Sequence, residues 1–175
     1  MSLVEIPTTF KYFAYGSNML TRRLTAKNRA PSAKVVGTGY IEGRRLTFDK
    51  LSQDGSGKCD AEATGTATDR VYGVIFDIAM SDKVALGNAE GLNKGYAEET
   101  LKVITASGVI EVMTYIATRK ERALRPYHWY KALTLAGAVE HGLPKDYVEW
   151  VRTVVSIEDQ DATRRAKNEA LLFAS

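Results

Sequence analysis

The chain has 175 residues, 45% of them hydrophobic and 26% charged. That balance excludes a disordered chain, and the length fits one domain, because either half alone would be short of core. Against 24 basic side chains stand 21 acidic ones, a formal net charge of +3 that is too small to point to nucleic acid, and one cysteine excludes an internal disulfide framework.

The opening MSLVEIPTTF has no apolar stretch behind a basic start, and no apolar run approaches the roughly 18 residues of a membrane span. The expectation is a cytoplasmic protein with Cys59 reduced and no membrane partner. FKYFAY (10–15) is rich in aromatics and reads as a buried strand that stops at Gly16-Ser17-Asn18. Residues 18–24 suit a short helix capped by Ser17 or Asn18. Strands follow at 35–41 and 44–50, joined near Gly43. Ser52–Asp60 is polar and glycine-rich and reads as a mobile loop. Residues 61–68 and 71–78 read as a hairpin around Asp69-Arg70. Ser81 is placed to cap a short helix through Leu86, and Gly87–Gly95 reads as loop. A further hairpin joins 98–105 to 109–117 through Ala106-Ser107-Gly108.

The period then changes. Ala132, Leu133, Leu135, Ala136 and Val139 have helical spacing and end at Gly142. After Pro144, Tyr147, Trp150, Val151, Val154 and Val155 continue it, and Ser156–Asp159 resembles the start signal of a final helix to about Leu172. Strands first and helices last predict an α+β fold around a mostly antiparallel sheet. Glycines inside strands (Gly37, Gly39, Gly65, Gly73) predict strong bending, as in a small barrel. No repeat or linker divides residues 1–175, so a single domain is expected, with its core in 10–155 and a helical segment at 156–175.

Most chemical motifs fail on spacing. Gly37-Thr38-Gly39 lies between strands and its third glycine, Gly43, falls one place late for a dinucleotide loop. Gly57-Lys58 is followed by Cys59, not by the Ser or Thr of a phosphate loop. His128 and His141 are 13 positions apart with no metal-binding pattern, so no metal or cofactor is expected and both read as polar surface residues near helix ends. Ser17 sits on a strand-to-helix turn, but without G-x-S-x-G or an orienting acid a Ser17–His128 hydrolase pair is a weaker reading than a capping role. Cys59 in a polar loop lacks a partner base. The helices flanking Gly142-Leu143-Pro144 do not suit DNA: Lys145 and Arg152 are cancelled by Asp146 and Glu149.

One feature carries chemistry. In Tyr12-Phe13-Ala14-Tyr15-Gly16-Ser17-Asn18-Met19 a buried strand runs into a turn whose N–H groups lack regular partners, a candidate cradle for a carboxylate or phosphate. YFAYGSNM resembles the signature of the γ-glutamylcyclotransferase family. The resemblance extends in order through Val71-Tyr72-Gly73-Val74, Asn88-Ala89-Glu90-Gly91, and Tyr130-Lys131 followed by Gly137-Ala138 and Gly142-Leu143-Pro144, over about residues 10–155. Asn18 is similar to this branch and not to the glutathione-specific one, which reads YGSL. The family's aromatic beyond the glutamate has Tyr96 as its nearest counterpart, next to Ala97.

The resemblance implies a small mixed or antiparallel barrel with surrounding helices. It implies that Tyr12, Phe13, Ala14, Tyr15, Gly16 and Ser17 hold the γ-glutamyl group with Asn18 adjoining, that Glu90 is the general acid/base, and that Tyr130 and Tyr115 line the pocket. The implied reaction is attack of the substrate's α-amine on its own γ-carbonyl, giving 5-oxoproline and a free amine without cofactor. A tethered nucleophile needs no covalent enzyme intermediate, and one carboxyl can move the proton from the amine to the departing nitrogen. Glu90 is therefore expected in a partly apolar pocket. The partner is a small γ-glutamyl compound, with a homodimer as a compatible assembly. Alternatives are a γ-glutamylamine, a γ-glutamyl-protected biosynthetic intermediate, or a non-catalytic module that binds a small ligand.

Overall fold

A computed structural model describes residues 4–173. The strands are β1 (Thr9–Ala14), β2 (Lys34–Glu42), β3 (Arg44–Leu51), β4 (Gly57–Ala63), β5 (Arg70–Ala79), β6 (Tyr96–Thr105) and β7 (Gly108–Ala117). The helices are α1 (Thr21–Leu24), α2 (Lys83–Glu90), α3 (His128–Glu140), α4 (Lys145–Thr153) and α5 (Ala162–Phe173). Five strands close into a barrel in the order β1-β5-β2-β6-β7, while β3 and β4 pair as a separate two-stranded sheet. β1 runs antiparallel to β5 and parallel to β7, where Tyr12 opposite Met113 seals the barrel. This is the α+β class with a small mixed barrel.

Alternation along β1 divides the core. Phe13 and Tyr15 pack with Val71, Ile75, Val103 and Val112. Tyr12 and Ala14 turn to the other face with Met19, Phe76 and Leu86. Gly73, one of the strand glycines, also permits close approach. A Cβ there would lie 2.6 Å from Phe13 Cζ and 2.3 Å from the Ala14 carbonyl oxygen, so only glycine lets β1 and its Phe13 ring close on β5.

Four expectations about secondary structure are corrected. The 61–68/71–78 hairpin does not form: β4 pairs with β3, Arg44 opposite Ala63, and β5 lies between β1 and β2. The loop expected over Ser52–Asp60 gives way to β4 at Gly57, where the charged side chains find partners on neighbouring segments. Lys58 meets Asp54 at 2.9 Å, and Asp60 accepts the Ala117 N–H at 2.8 Å and Lys120 at 2.9 Å. The expected loop at Gly87–Gly95 is half helix: α2 continues through Gly87 to Glu90 and stops at Gly91, whose φ of 77° makes the left-handed cap that glycine adopts most easily. The final helix starts later than Ser156, with Asp161 Oδ1 accepting the Arg164 N–H at 2.9 Å. Ser156 instead meets His128 Nδ1 at 2.7 Å.

α3 sets the position of the turn after β1, a single 3₁₀ turn at Ser17–Met19. At Gly137 the helix touches backbone: a Cβ would lie 2.5 Å from Leu20 N and 2.6 Å from Met19 C. His141, expected at the surface, is largely covered at the end of α3, with Nε2 2.9 Å from the Met19 carbonyl oxygen and 3.1 Å from Thr21 Oγ1. Among the described residues no helix is long and apolar enough to cross a membrane.

Candidate active site

The turn at 16–18 opens onto a cavity at one end of the barrel. β1 supplies Tyr12 and the following Tyr15, and β7 supplies Thr114 and Tyr115. α2 contributes Glu90 from its last residue, β6 contributes Tyr96 from its first, and Cys59 and Tyr130 come from β4 and α3. The Gly91 cap ends the helix at the position from which the Glu90 side chain enters the cavity.

Glu90 is anchored through one oxygen. Its Oε1 accepts from Asn18 Nδ2 at 2.6 Å and from Arg29 Nη1 at 2.8 Å. Arg29 Nη1 also donates to Asn18 Oδ1 at 3.1 Å, and Asn18 Nδ2 to Tyr12 Oη at 3.1 Å. Asn18, Glu90 and Arg29 thus hold one another, with only 19% of the Glu90 side chain and 14% of that of Arg29 exposed. Among the described residues Oε2 has no hydrogen-bond partner and is free to meet a ligand.

The tyrosines are neutral donors and acceptors. Burial raises the Tyr12 and Tyr115 hydroxyls above their ordinary range, and the Glu90 charge adds to it. Tyr15 donates to the Tyr115 carbonyl oxygen. Tyr96 donates to the Cys59 carbonyl oxygen at 2.5 Å, and Tyr130 Oη accepts the Cys59 N–H at 3.1 Å. The Tyr115 hydroxyl is different: it is buried and has no hydrogen-bond partner among the described residues. A buried hydroxyl without a hydrogen bond is destabilising, which points to a ligand as its partner. Cys59 is 2% exposed, and burial pushes its thiol up to about 12, too high for a thiolate nucleophile.

The structure brings together Tyr12, Tyr15, Gly16, Ser17, Asn18, Glu90, Tyr115 and Tyr130. Phe13 and Ala14 do not line the cavity. Phe13 points into the core from the opposite face to Tyr12, and Ala14 packs with Met19 and Leu86. Ser17 lines the cavity, but His128 lies with Ser156, so the hydrolase pair is not assembled. Arg29 and Thr114 carried no sequence signal, since neither lies in a recognisable pattern. Cys59 was masked by its polar neighbours Lys58 and Asp60. Among the described residues no cluster of three or more His, Cys, Asp or Glu side chains suits a metal ion.

Residues 70–151 match the AIG2-like family. Over 167 residues the chain is 34% identical to the gamma-glutamylcyclotransferase of Homo sapiens, covering 92% of this chain and 85% of that protein. It is also 34% identical over 152 residues to the gamma-glutamylcyclotransferase of Mus musculus, covering 83% and 79% respectively. A solved structure named gamma-glutamyl cyclotransferase superposes with a TM-score of 0.82 at 27% identity, over 95% of this chain and 99% of that one.

Proposed function

The chain belongs to the γ-glutamylcyclotransferase family, and on that premise we propose that it cyclises small γ-glutamyl amides to 5-oxoproline with Glu90 as general acid and base. The observation that carries this reading is the division of labour at Glu90, a residue of the cavity wall: one oxygen is fixed by Asn18 and Arg29, and the other has no partner among the described residues.

The substrate's α-amine is largely protonated near neutrality, since such groups titrate near ~8. Glu90 Oε2 takes one proton from the ammonium. The freed amine attacks the γ-carbonyl carbon, closing a five-membered ring and placing negative charge on the carbonyl oxygen. The bond to the departing nitrogen then breaks as Glu90 returns the proton to that nitrogen. The ring nitrogen, acidic once the ring has closed, gives up its second proton to the same carboxylate, which passes it to the released amine. 5-Oxoproline thus keeps one N–H, the amine leaves as an ammonium and Glu90 ends ionised. Holding both ends of the glutamyl chain in one cavity supplies much of the rate, because the nucleophile is already tethered. The unpartnered Tyr115 hydroxyl and the N–H groups of the 16–18 turn supply donors for substrate oxygen. Asn18 and Arg29 keep the carboxylate in one orientation, so Oε2 does not have to be repositioned for each proton transfer.

The test is a panel of γ-glutamyl compounds with 5-oxoproline as readout, run on the unmodified protein and on Glu90→Gln. The amide keeps the shape and cannot carry the proton, and the expected loss is about 10²–10⁴-fold in kcat. Equal turnover by both proteins would refute the assignment of Glu90.

A further inference from the structure

Lys50 lies in β3, outside the barrel, yet it is only 4% exposed. Its ammonium stands 4.3 Å from the centroid of the Tyr96 ring, and Tyr96 lines the cavity that holds Glu90. The side chain also presses on Gly95, where a Cβ would lie 2.8 Å from Lys50 Cε and 3.1 Å from Nζ. Two other lysines of this region are neutralised: Lys58 by Asp54, and Lys120 by Asp49, Asp60 and Glu62. Among the described residues Lys50 has neither a carboxylate partner nor a hydrogen-bond acceptor.

A covered ammonium without a counter-ion is unfavourable, and an aromatic face replaces only part of what water or a carboxylate provides. Burial lowers the Lys50 amine below its ordinary value, and among the charges that offset this Glu90 acts most strongly. The cation thus keeps a free valence at the face of Tyr96, a wall of the cavity that holds Glu90. If the 12–18 segment takes the glutamyl end, the departing nitrogen lies beside Glu90, which must protonate it. The group attached to that nitrogen then passes Tyr96, the residue of the cavity wall whose ring carries the Lys50 ammonium.

We propose that Lys50 is the specificity-determining cation for the departing half of the substrate, pairing with a carboxylate carried by the leaving amine. This rests on the cyclotransferase reading and extends it to the leaving group.

The test compares γ-glutamylalanine with γ-glutamylethylamide, which differ only in that carboxylate, for the full chain and for Lys50→Met, Lys50→Gln and Lys50→Arg. For the unmodified protein kcat/KM should favour the alanine compound by about 10- to 100-fold, the range of one charge-assisted hydrogen bond. In Lys50→Met and Lys50→Gln the ratio should fall to within about threefold, through a higher KM for γ-glutamylalanine, and Lys50→Arg should restore most of it. Thermal unfolding of each variant shows that it is folded, and Lys50→Gln carries the test if Lys50→Met is not. Turnover with an unchanged ratio, or an equal loss on both substrates, overturns the role of Lys50 alone. No 5-oxoproline from either substrate with the unmodified protein overturns the cyclotransferase reading, and this proposal with it.

Discussion

Gly137→Ala tests how the candidate site is held in place. The added methyl would sit 2.5 Å from Leu20 N and 2.6 Å from both Met19 C and Met19 Cβ. Two of these atoms are backbone in a buried segment, with Met19 at 0% and Leu20 at 6% exposure, so no flexible side chain can swing aside. Restoring van der Waals distance requires α3 and the 3₁₀ turn to separate by about 1 Å. Overpacking of this kind costs about 1–3 kcal/mol, while alanine in place of glycine inside a helix returns about 1 kcal/mol. The net expectation is a loss of up to about 2 kcal/mol, or up to roughly 8 °C in Tm for a chain of this length. The same displacement moves Asn18, which holds Glu90 at 2.6 Å, and a misplacement of ~1 Å at a catalytic group costs about 100-fold. Urea unfolding gives the first quantity and 5-oxoproline formation the second. Gly37→Ala, where nothing lies within 4 Å of the new Cβ, serves as the control and should leave both nearly unaltered. If Gly137→Ala is as stable and as active as the unmodified protein, the close approach does not position the turn.

Two further predictions separate stability from function. Removing the unpartnered hydroxyl in Tyr115→Phe should leave the fold as stable or up to about 1 kcal/mol more stable, whereas kcat/KM should fall about tenfold or more. Intact kinetics, or a clear loss of stability, would show that the hydroxyl has a structural partner instead. Asp159, 1% exposed, accepts from Arg164 Nη2 at 2.6 Å and Nε at 2.7 Å, from Trp129 Nε1 at 2.8 Å and from the Asp161 N–H at 2.9 Å. Chiefly through Arg164, these bonds hold its carboxyl well below the ordinary carboxylate range. A depressed folded value means stability that is fully present above the unfolded value of ~3.9 and lost as pH falls from there toward the folded value. Asp159→Asn should therefore be less stable by about 2 kcal/mol at pH 7 and show a shallower decline on acidification. Urea midpoints at pH 7, 5 and 3 measure both, and parallel declines would mean that Asp159 does not contribute to acid sensitivity.

Local pattern was enough where an element depends on its own residues. The β6–β7 hairpin could be read because its turn, Ala106-Ser107-Gly108, and its alternation are contiguous, and the register runs unbroken from Thr105 opposite Gly108 to Tyr96 opposite Ala117. The pattern misled where charges sit inside a strand. Asp60 is 2% exposed and Lys58 largely covered, and both are acceptable only because Lys120, Ala117 and Asp54 meet them. Glycine count likewise suggested loop at 87–95, although Gly87 is buried inside α2, which runs on to Glu90.

For the candidate site, composition alone did not separate Glu90 from the other acidic side chains. The ordered motifs from Tyr12 to Pro144 did, by resemblance. Read as a run, the segment 12–18 included Phe13 and Ala14, which pack into the core while Tyr12 and Tyr15 line the cavity. The sequence by itself determined the strand-then-helix order, the local turns and the ordered motifs, because these follow from short-range backbone preference and the spacing of apolar side chains. Only the tertiary structure decided that Asn18 and Arg29, 72 and 61 positions from Glu90, share its Oε1, and that Lys50 is left without a counter-ion beside Tyr96. Such contacts exist only once the barrel has closed, and no local preference encodes which distant side chains closure brings face to face.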